Sequence, residues 1–223
     1  MYTTCSSCPN RSVCFNDMSM NELTKVTEHK SEITYKKGET IIKQNTAAKH
    51  IYFVKSGLVK VHIENEDKNL ILEVSGKSSM LGVTALNHSK KYNFSVTAIE
   101  TVEVCEINID VISNIMTNNV AFSLSIINEL NISIDKLLSK VFYLSHKNIQ
   151  SRMAELLLNF SDKIFESKTF ILPISRTELA ELTNMAKENV VRTLKDFESK
   201  GYIKSKGRQV EIIDYKSLSE ISQ

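Results

Sequence analysis

Apolar side chains at Ile127, Leu130, Ile134, Leu137, Val141 and Leu144 recur in steps of 3, 4, 3, 4 and 3 residues. That is the a/d seam of a helix paired along its length with another helix. It constrains this chain more than any other feature, because such a seam must be covered. A second copy of the chain can cover it, which makes these six residues a homodimer interface. The chain's own N-terminal half can cover it instead, and the spacing alone leaves both readings open. Leu124, Leu138 and Phe142 form a second apolar stripe, so one helix is able to do both.

Ahead of this helix the periodicity is different. From about Ser31 to Ile109 the chain reads as short strands broken by turns. Ile51-Tyr52-Phe53-Val54 is one apolar run, and Val59, Val61 and Ile63 alternate with polar residues. Ser56-Gly57 between them reads as a tight turn. Phe94, Val96 and Ala98 alternate again, followed by Val102 and Val104. Evenly spaced short strands predict a small antiparallel barrel or roll. Gly76 to Lys91, with Gly82 inside it, reads as a longer connection.

Behind the seam, Ser145 to Asn148 is a polar hinge, and a helix is expected from about Ile149 to Ile164. Ser175-Arg176-Thr177-Glu178 is a capping-box start, with Ser175 as N-cap and Glu178 at the third helical position. Leu179, Ala180 and Leu182 line that helix. After the break Thr183-Asn184-Met185, a second helix runs from about Ala186 to Lys200, with Val190, Leu194 and Phe197 inside and Gly201 closing it. Two short helices so tightly joined describe a helix-turn-helix. Tyr202-Ile203, a Gly207-Arg208 turn and Val210 to Ile213 add a hairpin, the wing.

In such a motif the second helix enters the DNA major groove. Its outer face presents Lys187, Glu188, Asn189, Val191, Arg192 and Lys195. Arginine donates two bonds to guanine and glutamate accepts from cytosine, so Glu188 and Arg192, one turn apart, are base readers. As a bare helix the same pair reads equally as an exposed ion pair. The wing, with Lys200, Lys204, Lys206 and Arg208, favours base reading, its cations meeting phosphate. Net charge is only +2, so any basic surface is local.

The 223 residues carry 42% hydrophobic and 24% charged side chains, ordinary for a soluble protein. No apolar run is long enough to span a bilayer, so no membrane partner is expected. Met1 to Cys14 carries no signal-peptide core, and a cytoplasmic address is expected. A Gly-rich phosphate loop, a nucleophile elbow and a His-Glu metal helix are all missing from the sequence, which argues against an enzyme. Cys5, Cys8 and Cys14 cluster near the N-terminus and Cys105 stands alone. In a reducing compartment such clustering points to metal or redox chemistry. If Val102 and Val104 face the roll interior, Cys105 faces the long helix and the N-terminal arm. Four thiolates suit a [4Fe–4S] cluster, zinc, or redox-active thiols. Haem has little support, because His29, His50, His62, His88 and His146 are scattered.

The strand-rich N-terminal half, the long helix, Glu188-x-x-x-Arg192 and Phe197-x-x-x-Gly201-Tyr202-Ile203 together resemble the Crp/Fnr superfamily of bacterial regulators. The spacing Cys5-x2-Cys8-x5-Cys14 and the context Val104-Cys105-Glu106-Ile107 resemble its oxygen-sensing Fnr branch. The resemblance implies an α+β fold: a cyclic-nucleotide-binding-type β-roll, a dimerisation helix and a C-terminal winged helix-turn-helix. The expected segments are a cysteine-rich arm (1–18), the roll (19–109), the dimerisation region (110–145) and the DNA-binding domain (146–223). It further implies that Cys5, Cys8, Cys14 and Cys105 ligate a [4Fe–4S] cluster sensing oxygen or redox state. The expected partners are a second copy, double-stranded DNA with a palindromic TGA-type site, and RNA polymerase. The alternatives are a regulator of this superfamily sensing thiol redox, zinc, haem or a small molecule, and a signalling module that does not bind DNA. No cyclic nucleotide is expected: the cyclic-AMP branch neutralises the phosphate with an arginine, and Ser75 to Tyr92 offers only Lys77, Lys90 and Lys91. Three departures stand out. Val191 lies where the Fnr branch usually has serine, Ala186 where the N-cap is usually serine or threonine, and Leu137 where the best-known members carry an acidic residue. Asp135 is near the seam but off it.

Overall fold

The alternating stretch folds into short antiparallel strands in two sheets, in a computed structural model that describes residues 4–66, 69–86 and 90–223. Helix α1 (Met20–Glu28) comes first, opened by a capping box between Ser19 and Glu22 and burying Leu23 and Val26. Strands β1 (Lys30–Tyr35), β2 (Thr40–Ile42), β3 (His50–Ser56), β4 (Val59–Ile63), β5 (Leu70–Ser75), β6 (Met80–Leu81), β7 (Ser95–Ala98) and β8 (Val102–Asn108) follow. The sheet orders are β1-β8-β3-β6 and β2-β7-β4-β5. The turn at Gly57 sits at φ +82°, and a Cβ there would collide with the Thr101 carbonyl. Only glycine meets both demands. The stretch expected to be a connection, residues 76–91, also supplies β6, which pairs with β3 at Phe53 and Tyr52. A two-residue strand is too short to show as alternation. Residues 87–89 of that stretch, His88 among them, lie outside the described residues.

Two helices leave the roll. Helix α2 (Ile109–Asn118) starts at the Asn108 cap and buries Ile112 and Ile115. Helix α3 (Val120–His146) has 27 residues, which makes it roughly 40 Å long. Phe122, Ile126 and Tyr143 are buried on it, with Leu130 half-buried beside the first two. The second stripe is not what packs inward: Leu124, Leu138 and Phe142 are all exposed.

The C-terminal part is built from α4 (Ile149–Asn159), a single π turn at Phe160–Ile164, β9 (Thr169–Ile171), α5 (Arg176–Thr183), α6 (Lys187–Ser199), β10 (Ile203–Lys206), β11 (Gln209–Ile212) and α7 (Tyr215–Ser222). The hairpin β10-β11 carries β9 on its far edge. By contacts the chain divides into two compact units, residues 1–64 with 73–136 and residues 65–72 with 137–223. The division falls inside α3. The last turns of α3 bond to the second unit: Lys140 donates to the Leu182 carbonyl at 2.6 Å and Tyr143 to that of Arg152 at 2.8 Å. The architecture is the expected α+β arrangement of roll, long helix and winged helix-turn-helix.

Candidate nucleic-acid interface and thiol site

The helix-turn-helix forms where its caps require. Ser175 accepts from the Glu178 amide while Glu178 returns a bond to the Ser175 amide, so α5 begins with two of its open donors satisfied. Asn184 ends α5 in the left-handed region, at φ +50°. Helix α6 turns Val190, Leu194 and Phe197 inward, each almost fully buried. It closes on Gly201 at φ +74°, with the Tyr202 amide donating to the Phe197 carbonyl at 2.9 Å. Its start is weaker, because Ala186 offers no side-chain cap.

The outward face of α6 presents Lys187, Glu188, Val191, Arg192 and Lys195 around one shallow concavity. Asn189 is half-buried and accepts at 2.9 Å from Arg192 Nη2. Among the described residues no ion pair joins Glu188 to Arg192, so the exposed-pair reading describes these side chains poorly. On the wing, Lys204 and Lys206 are exposed. Lys200 is engaged with Asp196 at 2.9 Å, which raises its pKa. Arg208, also exposed, lies at the wing turn. Its Nε and Nη2 both donate to the Leu172 carbonyl, at 2.9 and 2.6 Å, tying the wing turn to the chain ahead of α5.

Two positioning residues escaped the sequence reading. Arg152 Nη1 donates to the Thr183 carbonyl at 3.1 Å and the Asn184 carbonyl at 3.4 Å. Lys140 reaches Leu182 as described above. Both place positive charge on the open carbonyls at the end of α5, where the helix dipole favours it. Arg176 Nη2 braces the wing from the other side, donating to the Gly207 carbonyl at 3.1 Å. The scarcity of arginine was the available signal. Of five, Arg152, Arg176 and Arg208 hold backbone carbonyls around the reading helix, and Arg192 faces outward.

The cysteines come from three places. Cys5 lies in a 3-10 turn of the arm (Cys5–Ser7), Cys14 in a second (Val13–Asp17), and Cys105 on β8. Val102 and Val104 are fully buried on one face of β8, so Cys105 projects from the other, as the alternation requires. Cys5, Cys14 and Cys105 fall in one buried cluster with Phe15, Phe53, Phe122 and Ile126. Cys8 is half-buried and outside it. Burial pushes both Cys14 and Cys105 up from 9.0 to about 11. At Cys14 the Ser12 hydroxyl, 3.3 Å away, works against this, and at Cys105 the ammoniums of Lys30 and Lys55 do. Among the described residues no three of these groups are closed into a metal-holding set. The donor chemistry nevertheless suits a thiolate-bound group: three thiols share one water-poor cluster, and Cys8 follows Cys5 by three residues.

The arm is fastened to α3. Phe15 packs on Phe53 and Phe122, at centroid distances of 4.8 and 6.2 Å. Asn119 donates to the Asp17 carbonyl at 2.8 Å and to Glu22 at 3.1 Å, and Ser125 bonds to the Asp17 carboxylate. Further along α3, Ile127, Ile134, Leu137 and Val141 are exposed, Leu144 is half-buried, and Leu130 alone leans on the roll's core. Within the unit that carries the roll, Ile127 and Ile134 therefore remain exposed among the described residues. No helix among the described residues is long and apolar enough to cross a membrane.

The model of the cyclic nucleotide-binding domain matches residues 32–119, and that of the Crp-like helix-turn-helix domain matches residues 151–221. The transcriptional activator protein FnrA of Stutzerimonas stutzeri is 24% identical over 219 residues, 94% of this chain and 88% of that protein. The fumarate and nitrate reduction regulatory protein of Vibrio cholerae is 23% identical over 227 residues, 98% of this chain and 90% of that one. The structure of FixK2 from Bradyrhizobium japonicum superposes with a TM-score of 0.79 at 18% identity, over 87% of this chain and 98% of that chain, and shares the fold. These relatives are regulators, not enzymes. Both halves of the chain match, in order, the two domains of one family, and the chain belongs to the Crp/Fnr family of DNA-binding transcription regulators.

Proposed function

We propose that this regulator belongs to the Fnr branch, senses oxygen or redox state through a [4Fe–4S] cluster held by Cys5, Cys8, Cys14 and Cys105, and binds a palindromic TGA-type site as a homodimer. The observation that carries this reading is the position of Cys105: it projects from the roll into the same buried cluster as Cys5 and Cys14 of the arm. When bound, the cluster supplies an oxygen-labile group whose loss the protein can register. The names of the relatives, fumarate and nitrate reduction regulators among them, support the same branch.

The chain's own residues supply the rest. Asp17, Asn119 and Ser125 clip the ligand-bearing arm to α3, so a change in the arm is felt on the helix that carries the seam. Glu188 and Arg192 read bases, Lys187, Asn189, Val191 and Lys195 flank them, and Lys204, Lys206 and Arg208 meet phosphate. Ile127 through Leu144 form the subunit contact, and RNA polymerase is the expected downstream partner. A cyclic nucleotide is not part of this reading.

Anaerobic purification with an absorption spectrum and iron and sulfide counts tests it. The expected result is a brown protein with about four irons per chain that bleaches in air, and that loses the colour when any of the four cysteines is changed to serine. A colourless protein carrying stoichiometric zinc would refute it.

A further inference from the structure

Ser12 lies between Cys8 and Cys14 of the arm, 6% exposed, beside a Cys14 that is 2% exposed. It is the N-cap of the Val13–Asp17 turn, a position where a serine hydroxyl ordinarily accepts from a backbone amide. Among the described residues that capping bond is not made. The hydroxyl lies instead 3.3 Å from Cys14 Sγ. In the free thiol either atom can donate. A metal-bound sulfur is a thiolate without a proton, so there the hydroxyl must be the donor. Such a bond, made to a charged acceptor, is stronger than one between neutral groups. It also meets opposition, because the carboxylates of Glu129 and Asp17 both disfavour negative charge on this sulfur. The surroundings hold the donor in place. Arg11 ties the two turns of the arm together, its Nη2 donating to Asn16 at 2.7 Å and its Nη1 to the Ser6 carbonyl at 3.5 Å. The Cys5 amide donates to Thr27 Oγ1 of α1 at 3.0 Å. Asp17, at the end of Cys14's own turn, is bound by Asn119 and Ser125 of α3.

We propose that Ser12 is a positioning residue of the thiolate site: its hydroxyl donates to the Cys14 sulfur and raises the reduction potential of the group that this sulfur helps to hold. The proposal rests on the iron–sulfur reading above. Hydrogen bonds to the sulfurs are among the features that set the potential of a thiolate-bound cluster. Reduction adds negative charge that spreads onto the sulfurs, so the reduced form gains more from the donor than the oxidised form does. A serine that only fills space makes a different prediction: its variants would lose iron or stability without moving the potential.

The test is a redox titration, followed by electron paramagnetic resonance, of the anaerobically isolated full-length protein. The couple takes up one electron from the titrant, and the hydroxyl proton stays on its oxygen throughout. Ser12→Ala should shift the equilibrium about tenfold toward the oxidised form, about 59 mV more negative. Ser12→Thr, which keeps the hydroxyl, should retain the parent value. Ser12→Val, equal to threonine in shape but without the hydroxyl, should follow Ser12→Ala. If Ser12→Ala does not hold iron, the threonine and valine variants carry the test between them. An unchanged potential on loss of the hydroxyl, threonine and valine variants that move together, or iron lost from all three overturns the proposal and leaves the cluster standing. A parent protein without iron overturns both.

Discussion

Arg192 is exposed on α6 and donates to Asn189, on the surface that a base edge would meet. Its replacement by alanine should cost about 1–3 kcal/mol at a TGA-type palindrome and little on random DNA. Lys204→Ala or Lys206→Ala should instead weaken both and flatten the dependence on salt. Competition binding at several salt concentrations separates the two patterns, and an equal loss on both DNAs for Arg192→Ala would place the reading helix elsewhere. Residue type did not reveal the bonds from Arg208 to the Leu172 carbonyl, which link residues 36 apart in sequence. The cysteines carry a second prediction at this scale. In cluster-free, reduced protein, half-buried Cys8 should alkylate faster than Cys14 or Cys105, as mass spectrometry of the labelled peptides would show. Both buried thiols bind their protons more tightly in the folded chain, with pKa raised from 9.0 to about 11. Their contribution to stability is therefore present below pH 9 and lost as pH rises through about 11, and urea midpoints across that window should fall. A flat profile would mean that water reaches these thiols.

Among the elements, α6 is the one whose start is left open. Ala186 has the extended backbone of an N-cap and no oxygen to offer. Ala186→Ser should stabilise the folded chain by about 1 kcal/mol, and Ser175→Ala, which breaks the box on α5, should cost about as much. Equilibrium unfolding reads both, and an Ala186→Ser variant no more stable than the parent would contradict the first. The capped helices were legible in the sequence because a cap is a local bargain between neighbours: Ser175 with Glu178, Gly201 with Phe197. Strands β4, β7 and β8 were legible from their alternation, and β3, buried on both faces from Ile51 to Val54, from its unbroken apolar run. What escaped has physical reasons as well. Strands β6 and β9 are too short to alternate. Helix α7 follows the wing that completes the motif, and α1 lies just past the cysteine-rich arm, in residues assigned to the strand-rich roll. The bond of Arg152 to the turn at Thr183 links residues 31 apart, and no spacing rule contains it.

At the scale of the whole molecule, the seam decides how a signal in the arm is used. Leu137 is 48% exposed in the single chain, with Ile134 and Val141 exposed on either side of it. Covering the exposed half of Leu137 in a symmetric contact stabilises a dimer by roughly 0.7–1.5 kcal/mol per side chain. The dimer should therefore largely survive loss of the cluster, with oxygen acting on the orientation of the DNA-binding halves. Sedimentation of the anaerobic and air-treated protein at micromolar concentration should show dimers in both, and Leu137→Asp should release monomers. Full dissociation in air would contradict the first expectation, and an unaffected Leu137→Asp dimer would place the subunit contact elsewhere. The central claim is that thiol-bound iron in the arm governs DNA recognition by α6, and one measurement addresses it directly. Fluorescence anisotropy of a labelled TGA-type palindrome should be titrated with the anaerobic protein, the same protein after air, and the anaerobic Cys105→Ser variant. The account predicts tight, sequence-selective binding for the first and a loss of that selectivity for the other two. Three superimposable binding curves would contradict it.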